Sequence, residues 1–209
     1  MDARCYTVGP LQENCWIVRA EGSDRALVID PGEEADRLID AVKDLTVEAI
    51  LLTHTHFDHV GAVAPLARHT RAPVYCPEIE VPYLKDVNRF TFPGFGPYEP
   101  YDPEHTLQGG ERLDLAGLDI DVVFTPGHSP GHVSFSLPEH QVLLSGDVLF
   151  RDSIGRTDLP GGDHATLLDS IASLLAALPD ETRVLPGHMG ATTLGRERAS
   201  NPFLHELAR

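Results

Sequence analysis

Four short apolar runs in the chain each stop at a histidine or an aspartate. Ile50-Leu51-Leu52-Thr53 leads into His54-Thr55-His56-Phe57-Asp58-His59, and Val122-Val123-Phe124-Thr125 leads into Pro126-Gly127-His128. Val142-Leu143-Leu144-Ser145 leads into Gly146-Asp147, and Val184-Leu185 into Pro186-Gly187-His188. These ends carry seven candidate metal ligands, five imidazoles and two carboxylates: His54, His56, Asp58, His59, His128, Asp147 and His188. Zinc takes three or four such donors plus a water, so a single site would leave several idle, whereas two adjacent sites use them all. The count fits a two-metal centre. Nitrogen and oxygen donors without thiolate admit zinc, iron or manganese.

Taken alone, each ligand has a plainer explanation. A histidine after Pro-Gly is commonly a loop residue with an ordinary hydrogen bond. HxHxDH packed into six residues, followed by further His and Asp at strand ends, is not what a merely hydrophilic surface produces. A structural zinc cage is closed by four ligands and seldom carries seven candidates. Six histidines stay outside the set: His69, His105, His132, His140, His164 and His205. His132 follows closely on His128 and suits a supporting or packing role.

Residues this far apart meet only if the fold brings strand ends together. Residues 4–8, 14–19 and 25–29 read as successive strands, with Gly9-Pro10 and Glu21-Gly22-Ser23-Asp24 as turns. Asp30-Pro31-Gly32 stops the third strand, and Ala35, Leu38, Ile39 and Val42 recur at helical spacing through about residue 44. A buried strand over 48–53 and a helix from Gly61 through His69 follow. Residues 73–103 hold seven prolines with Tyr83, Phe90, Phe92, Phe95, Tyr98 and Tyr101 among them, the mark of a long irregular segment that lids a site or packs on the body. Strands at 119–125, 133–137 and 142–145 repeat the earlier style. Asp163 can cap a helix through Leu167, Leu168, Ile171, Leu174 and Leu175 that Pro179 closes, before a strand at 183–185 and a last helix from about Thr192. Strands then helix in each half predict two similar α/β halves packed sheet to sheet, with strand ends converging on a ligand crevice.

At 209 residues one domain spanning 1–209 is expected. The net charge of −16 repels phosphate backbones and anionic membranes, so neither nucleic acid nor membrane is an expected partner. Cys5, Cys15 and Cys76 are too few and too scattered for a disulfide framework or a thiolate zinc site, and read as buried reduced thiols in strands. Met1-Asp2-Ala3-Arg4-Cys5 has no apolar stretch behind its charges, and no run of eighteen apolar residues exists, which points to the cytoplasm.

With these residues in hand, a resemblance can be named. HxHxDH at 54–59 followed by His128, Asp147 and His188 resembles the metallo-β-lactamase superfamily, and the likeness runs through the whole chain in order. It implies an α+β fold, a four-layer αβ/βα sandwich with the metals at one edge of the paired sheets. Carried over by position, it implies that His54, His56 and His128 hold one metal, that Asp58, His59 and His188 hold a second, and that Asp147 bridges them. Val8-Gly9-Pro10-Leu11-Gln12-Glu13-Asn14-Cys15, Ser153-Ile154-Gly155-Arg156-Thr157-Asp158-Leu159-Pro160 and Asn201-Pro202-Phe203-Leu204 are similar to glyoxalase II-like hydrolases. They look most like the short subgroup without the helical carboxy-terminal domain, since 209 − 188 leaves 21 residues after the last ligand. That domain supplies much of the glutathione site in the family, and Met189-Gly190 stands where relatives usually show Gly-Pro. The best-known lactamases tend to have Cys where this chain has Asp147, which disfavours an antibiotic substrate.

The activity this implies is metal-assisted hydrolysis of a small-molecule thioester such as S-D-lactoylglutathione. A water between two dications, zinc foremost, falls from a pKa of about 15.7 towards about 7, and the resulting bridging hydroxide attacks the polarised carbonyl. Asp58 is metal ligand first and catalytic base second. Arg156 could meet an anionic substrate or simply pair with Asp158, and the aromatic segment from Tyr83 to Tyr101 is the candidate for substrate contacts. The alternatives are a mononuclear iron persulfide dioxygenase, which Gly155-Arg156-Thr157-Asp158 also resembles, and a lactonase or other superfamily hydrolase. A nuclease would want a basic face, and only Lys43 and Lys85 accompany fourteen arginines here. A non-catalytic binding module is expected to have lost ligands, and all seven are present.

Overall fold

The apolar runs pair into two six-stranded sheets in a computed structural model that describes residues 1–206. In the first sheet β1 (Asp2–Val8), β2 (Glu13–Arg19) and β3 (Arg25–Ile29) form an antiparallel meander. Helix α1 (Ala35–Ala41) then crosses to β4 (Thr46–Leu51), parallel to β3. Helices α2 (Phe57–Val60) and α3 (Val63–Thr70) lead to β5 (Val74–Pro77), and α4 (Val81–Leu84) with irregular chain leads to β6 (His105–Leu107); both strands continue the parallel part.

The second sheet begins with an antiparallel run of β7 (Arg112–Leu115), β8 (Leu118–Phe124), β9 (Val133–Leu137) and β10 (Val142–Gly146). A small hairpin of β11 (Leu149–Phe150) and β12 (Ser153–Ile154) follows. Helix α5 (His164–Ala177) returns the chain to β13 (Arg183–Pro186), parallel to β10, and β14 (Thr192–Thr193) edges the sheet before α6 (Leu194–Ser200).

The sheets pack face to face through Trp16, Val18, Leu27 and Leu51 on one side and Ile120, Phe135, Leu137 and Leu144 on the other. The outer face of the first sheet buries Ile17, Val28 and Ile50 with Leu38 of α1 and Leu66 of α3. The outer face of the second buries Leu143 and Val184 with Ile171 and Leu174 of α5. This is the αβ/βα sandwich. Both faces of each sheet are covered, which is why β2 and β3 read as unbroken apolar runs rather than as alternating ones.

Two register irregularities aim the strand ends. Ala26 pairs with Val47 but Leu27 with Ala49, so Glu48 is an extra residue in β4. One inserted residue switches the face that every later side chain takes. Val47 accordingly packs on the helix side while Ala49 and Leu51 face the second sheet. The other irregularity passes over Ser145, between the pairs Leu144–Leu185 and Gly146–Pro186, directly ahead of Asp147.

Several boundaries differ from the expectations. Helix α1 ends at Ala41 rather than near 44, and the strand expected over 48–53 runs from Thr46 to Leu51. The helix expected from Gly61 through His69 is α3, over Val63–Thr70, and the short α2 over Phe57–Val60 precedes it. Residues 73–103 are less irregular than their prolines suggest, containing β5 and α4. Asp163 caps α5 as expected, its Oδ1 accepting from Thr166 N–H at 2.8 Å. Cys15 and Cys76 are buried, but Cys5 is exposed on β1, the edge strand of the first sheet. No helix among the described residues is long and apolar enough to cross a membrane.

Phe135 is fully buried between the sheets. Phe135→Ala should cost about 3–5 kcal/mol, seen as a lower urea midpoint at unchanged slope. An unmoved midpoint would contradict its place in the inter-sheet core.

Candidate metal centre

The seven candidates meet at one edge of the sandwich. Ligand atoms of His54, His56 and His128 lie within 4.8 Å of one another, and so do those of Asp58, His59 and His188. Asp147 sits between the two sets, with Oδ1 3.5 Å from His59 Nε2 and Oδ2 3.5 Å from His128 Nε2 and 3.6 Å from His188 Nε2. His54, His56, Asp58 and His59 follow β4 of the first sheet, while His128, Asp147 and His188 follow β8, β10 and β13 of the second. Each half therefore contributes to both sets.

Hydrogen bonds on the far side of the rings orient them. Thr53 donates from N–H to Asp30 Oδ1 at 2.8 Å and from its hydroxyl to Asp30 Oδ2 at 2.6 Å. With its one proton so used, the Thr53 hydroxyl can only accept from His54 Nδ1, 3.0 Å away. His59 Nδ1 donates to Asp30 Oδ2 at 3.2 Å, and His128 Nδ1 to the Arg156 carbonyl at 2.8 Å. All three rings thereby carry a proton on Nδ1 and turn Nε2 towards Asp147 or one another. His56 Nδ1 and His128 Nε2 face each other at 2.8 Å.

A divalent cation fits this donor set. His54 Nε2, His59 Nε2 and Asp147 Oδ1 are buried without a hydrogen-bond partner among the described residues, and all three belong to the cluster. Burial, reinforced by neighbouring imidazoles, pushes His54 well below the usual histidine range and His56 down to about 3. These two rings are thus neutral, the form that donates a lone pair to metal. Burial opposes charge on Asp147, yet the surrounding imidazoles, His59 foremost, hold its carboxyl well below the usual carboxylate range.

Further residues support the site. Asp30 ends β3 as the ligands end their strands, and that position was the one signal; Asp30-Pro31-Gly32 read only as a strand stop. Glu80 is buried and ties two ligand loops together, its Oε2 accepting from Thr55 Oγ1 at 2.8 Å and its Oε1 from Ser129 Oγ at 2.7 Å and Gly131 N–H at 2.8 Å. Nothing in the proline-rich segment around it marks Glu80 beforehand. His132 takes the supporting role expected, its Nε2 accepting Asp147 N–H at 3.1 Å and its Nδ1 donating to Thr125 Oγ1 at 3.0 Å. A Cβ on Gly146 would come within 2.5 Å of both His132 Nε2 and Thr53 Oγ1, so only glycine lets these two supports converge. The turn bearing His188 is held by β2, with Asn14 N–H donating to Gly187 O at 2.7 Å and Trp16 Nε1 to Pro186 O at 3.0 Å.

A cleft of about 640 Å³ opens over the cluster and exposes His56, Asp58, His128, Asp147 and His188 on its floor. The aromatic segment divides. Tyr83, Phe90 and Phe92 line the cleft, whereas Phe95, Tyr98 and Tyr101 pack against the core of the first half. Arg156 pairs with Asp158 through two 2.7 Å hydrogen bonds, the structural alternative of the two weighed for it.

Thr53→Val removes the hydroxyl that links Asp30 to His54 while keeping the shape. The fold should survive, and metal affinity in a chelator competition should fall about 10- to 100-fold. Unchanged affinity would mean that His54 needs no such support.

The comparisons agree with this geometry. The sequence profile of the metallo-beta-lactamase superfamily matches residues 8–188. Hydroxyacylglutathione hydrolase GloC of Haemophilus influenzae is 38% identical, over 98% of this chain and 99% of its own. Among solved structures, the BLEG-1 B3 metallo-beta-lactamase superposes with a TM-score of 0.91 at 41% identity, covering 98% of this chain and all of the other. TTHA1623, solved in a di-iron-bound form, gives 0.83 at 44% identity, covering 96% of this chain and all of the other. With donor sets at the sheet edge, a matching sandwich and a profile match over most of its length, the chain belongs to the metallo-beta-lactamase superfamily.

Proposed function

We propose that this superfamily hydrolase is binuclear and cleaves thioesters of the glyoxalase II type. The observation that carries the reading is the pair of three-residue donor sets flanking one carboxylate on the floor of a single cleft. His54, His56 and His128 hold one cation, Asp58, His59 and His188 the other, and Asp147 lies between. The superfamily binds divalent metals, often two. Zinc suits the nitrogen-rich donors, and iron and manganese remain chemically admissible. The 38% identical hydroxyacylglutathione hydrolase supports a thioester substrate.

Cations bound there would acidify a shared water and polarise the scissile carbonyl. The chain's own groups do the rest. Asp58 lines the cleft with its side chain 14% exposed, and its Oδ2 stands 3.3 Å from His188 Nε2. It is thus the carboxylate positioned to orient an attacking water and take its proton. The leaving thiol has a pKa near 8.5 and departs as thiolate without a dedicated acid. His132 fixes the Asp147 backbone, so that the central carboxylate keeps its place between the two sets. The partner is a small molecule, since a chain at −16 disfavours polyanions.

Elemental analysis of the purified protein, paired with assays on S-D-lactoylglutathione, other thioesters, a lactone, a β-lactam and a persulfide, tests the reading. Two metals per chain with thioester cleavage support it. One iron with oxygen uptake on glutathione persulfide would replace it with the dioxygenase alternative. His56→Ala should lose metal and activity together while its circular dichroism stays that of the parent, and normal turnover in that variant would remove the ligand assignment.

A further inference from the structure

The walls of the cleft are as distinctive as its floor. Seven large apolar side chains are exposed among the described residues, and four of them, Leu11 at 40%, Phe90 and Phe92 at 41% and Met189 at 56%, line this one opening. Apolar surface gathered around a single cleft, rather than scattered, marks a place where an apolar ligand is received.

We propose that the site selects thioesters carrying a long, uncharged alkyl chain, with Leu11, Phe90, Phe92 and Met189 setting that preference; the inference rests on the thioester reading above. Met189 adopts φ +66, a left-handed conformation that glycine takes freely and a side chain does not. Asn14 holds it there, donating from Nδ2 to Met189 O at 2.7 Å.

The charges point the same way. Arg156 is the one cation lining the cleft among the described residues, and Asp158 engages it bidentately at 2.7 Å. Arg89 lies over the Phe90 ring at 5.4 Å and is not among the lining residues. The other charged side chains on the lining are Asp58, Glu80 and Asp147. Among the described residues that line the cleft, a tripeptide carrier with two carboxylates therefore meets no unpaired arginine or lysine, Arg89 and Arg151 standing outside the lining. A three-carbon lactoyl group fills only a small part of 640 Å³, which leaves the apolar walls for a longer chain.

The test is a series of straight-chain acyl thioesters from acetyl to decanoyl on a small neutral thiol, assayed beside S-D-lactoylglutathione. A parallel series of uncleavable S-alkyl thioethers is measured for Kd by calorimetry. The expected result is kcat/KM rising about three- to fourfold per methylene until the cleft is filled, with Kd falling in step. S-D-lactoylglutathione should rank below the longer acyl esters. Met189→Gly should flatten the slope of log kcat/KM against chain length without lowering the thermal midpoint, because a left-handed glycine is unstrained. The double variant Phe90→Ala, Phe92→Ala should flatten it as well. A flat slope in the parent, or preference for the glutathione ester, overturns the selectivity and leaves thioester hydrolysis standing. Should the metal-loaded protein cleave no thioester, the thioester reading fails, and the Kd series alone decides: tightening with chain length upholds the apolar selection and constant Kd overturns it.

Discussion

Buried donor groups that cannot satisfy one another set the terms for the rest of this structure. Five imidazoles and two carboxylates converge beneath the cleft, and three of their atoms are buried with no hydrogen-bond partner among the described residues. Such a cluster does not hold itself together, because unpaired buried polar atoms cost free energy and closely packed rings resist protonation. Its geometry comes from outside. Asp30 with Thr53, Glu80, His132 and the Arg156 carbonyl each grip a ring or a ligand loop from behind. Each gripped ring donates from its outer nitrogen and turns the inner one into the cluster.

These supports tie the two sheets together as well as the ligands. Glu80 belongs to the first half but binds Ser129 and Gly131 of the second. Val133 N–H of β9 donates to Thr53 O after β4, and Asn14 of β2 reaches the turn before His188. Inter-sheet packing around Phe135 brings the strand ends to the same edge, and the polar contacts then link them across it. The register shift at Glu48 belongs to the same design, since without it Ala49 and Leu51 would face the helices instead of the second sheet.

The seven candidate residues that the fold gathers at one edge were legible in the sequence because they combined chemically informative residue types with the ends of apolar runs, a pattern visible without coordinates. The sandwich was legible for a related reason: strands covered on both faces lose their alternation, and β2, β3 and β10 show it. Short edge strands such as β6, β12 and β14 were not, since two or three residues carry no periodicity. Glu80 could not be found either, because its importance lies in being buried beside Thr55 and Ser129, and nothing local in Pro77-Glu78-Ile79-Glu80 announces burial. Asp30 hid in a turn signal. Cys5 was misplaced because its strand is an edge, and edges are decided by which strands pair rather than by the residues in them. The division of the aromatic segment into cleft lining and core packing depends on tertiary contacts that composition does not contain.

The bond from Asn14 Nδ2 to the Pro186 carbonyl joins residues 172 positions apart. During synthesis, the HxHxDH segment leaves the ribosome with four donors in place while His128, Asp147 and His188 are still to be made. Neither donor set can close until the second sheet has docked, and the last to form needs nearly the whole chain. Contacts this distant in sequence form late in folding. Assembly of the centre therefore depends on how far the chain has been made: a product ending before His128 displays the HxHxDH segment and can build neither donor set, and one ending before His188 can build only the first.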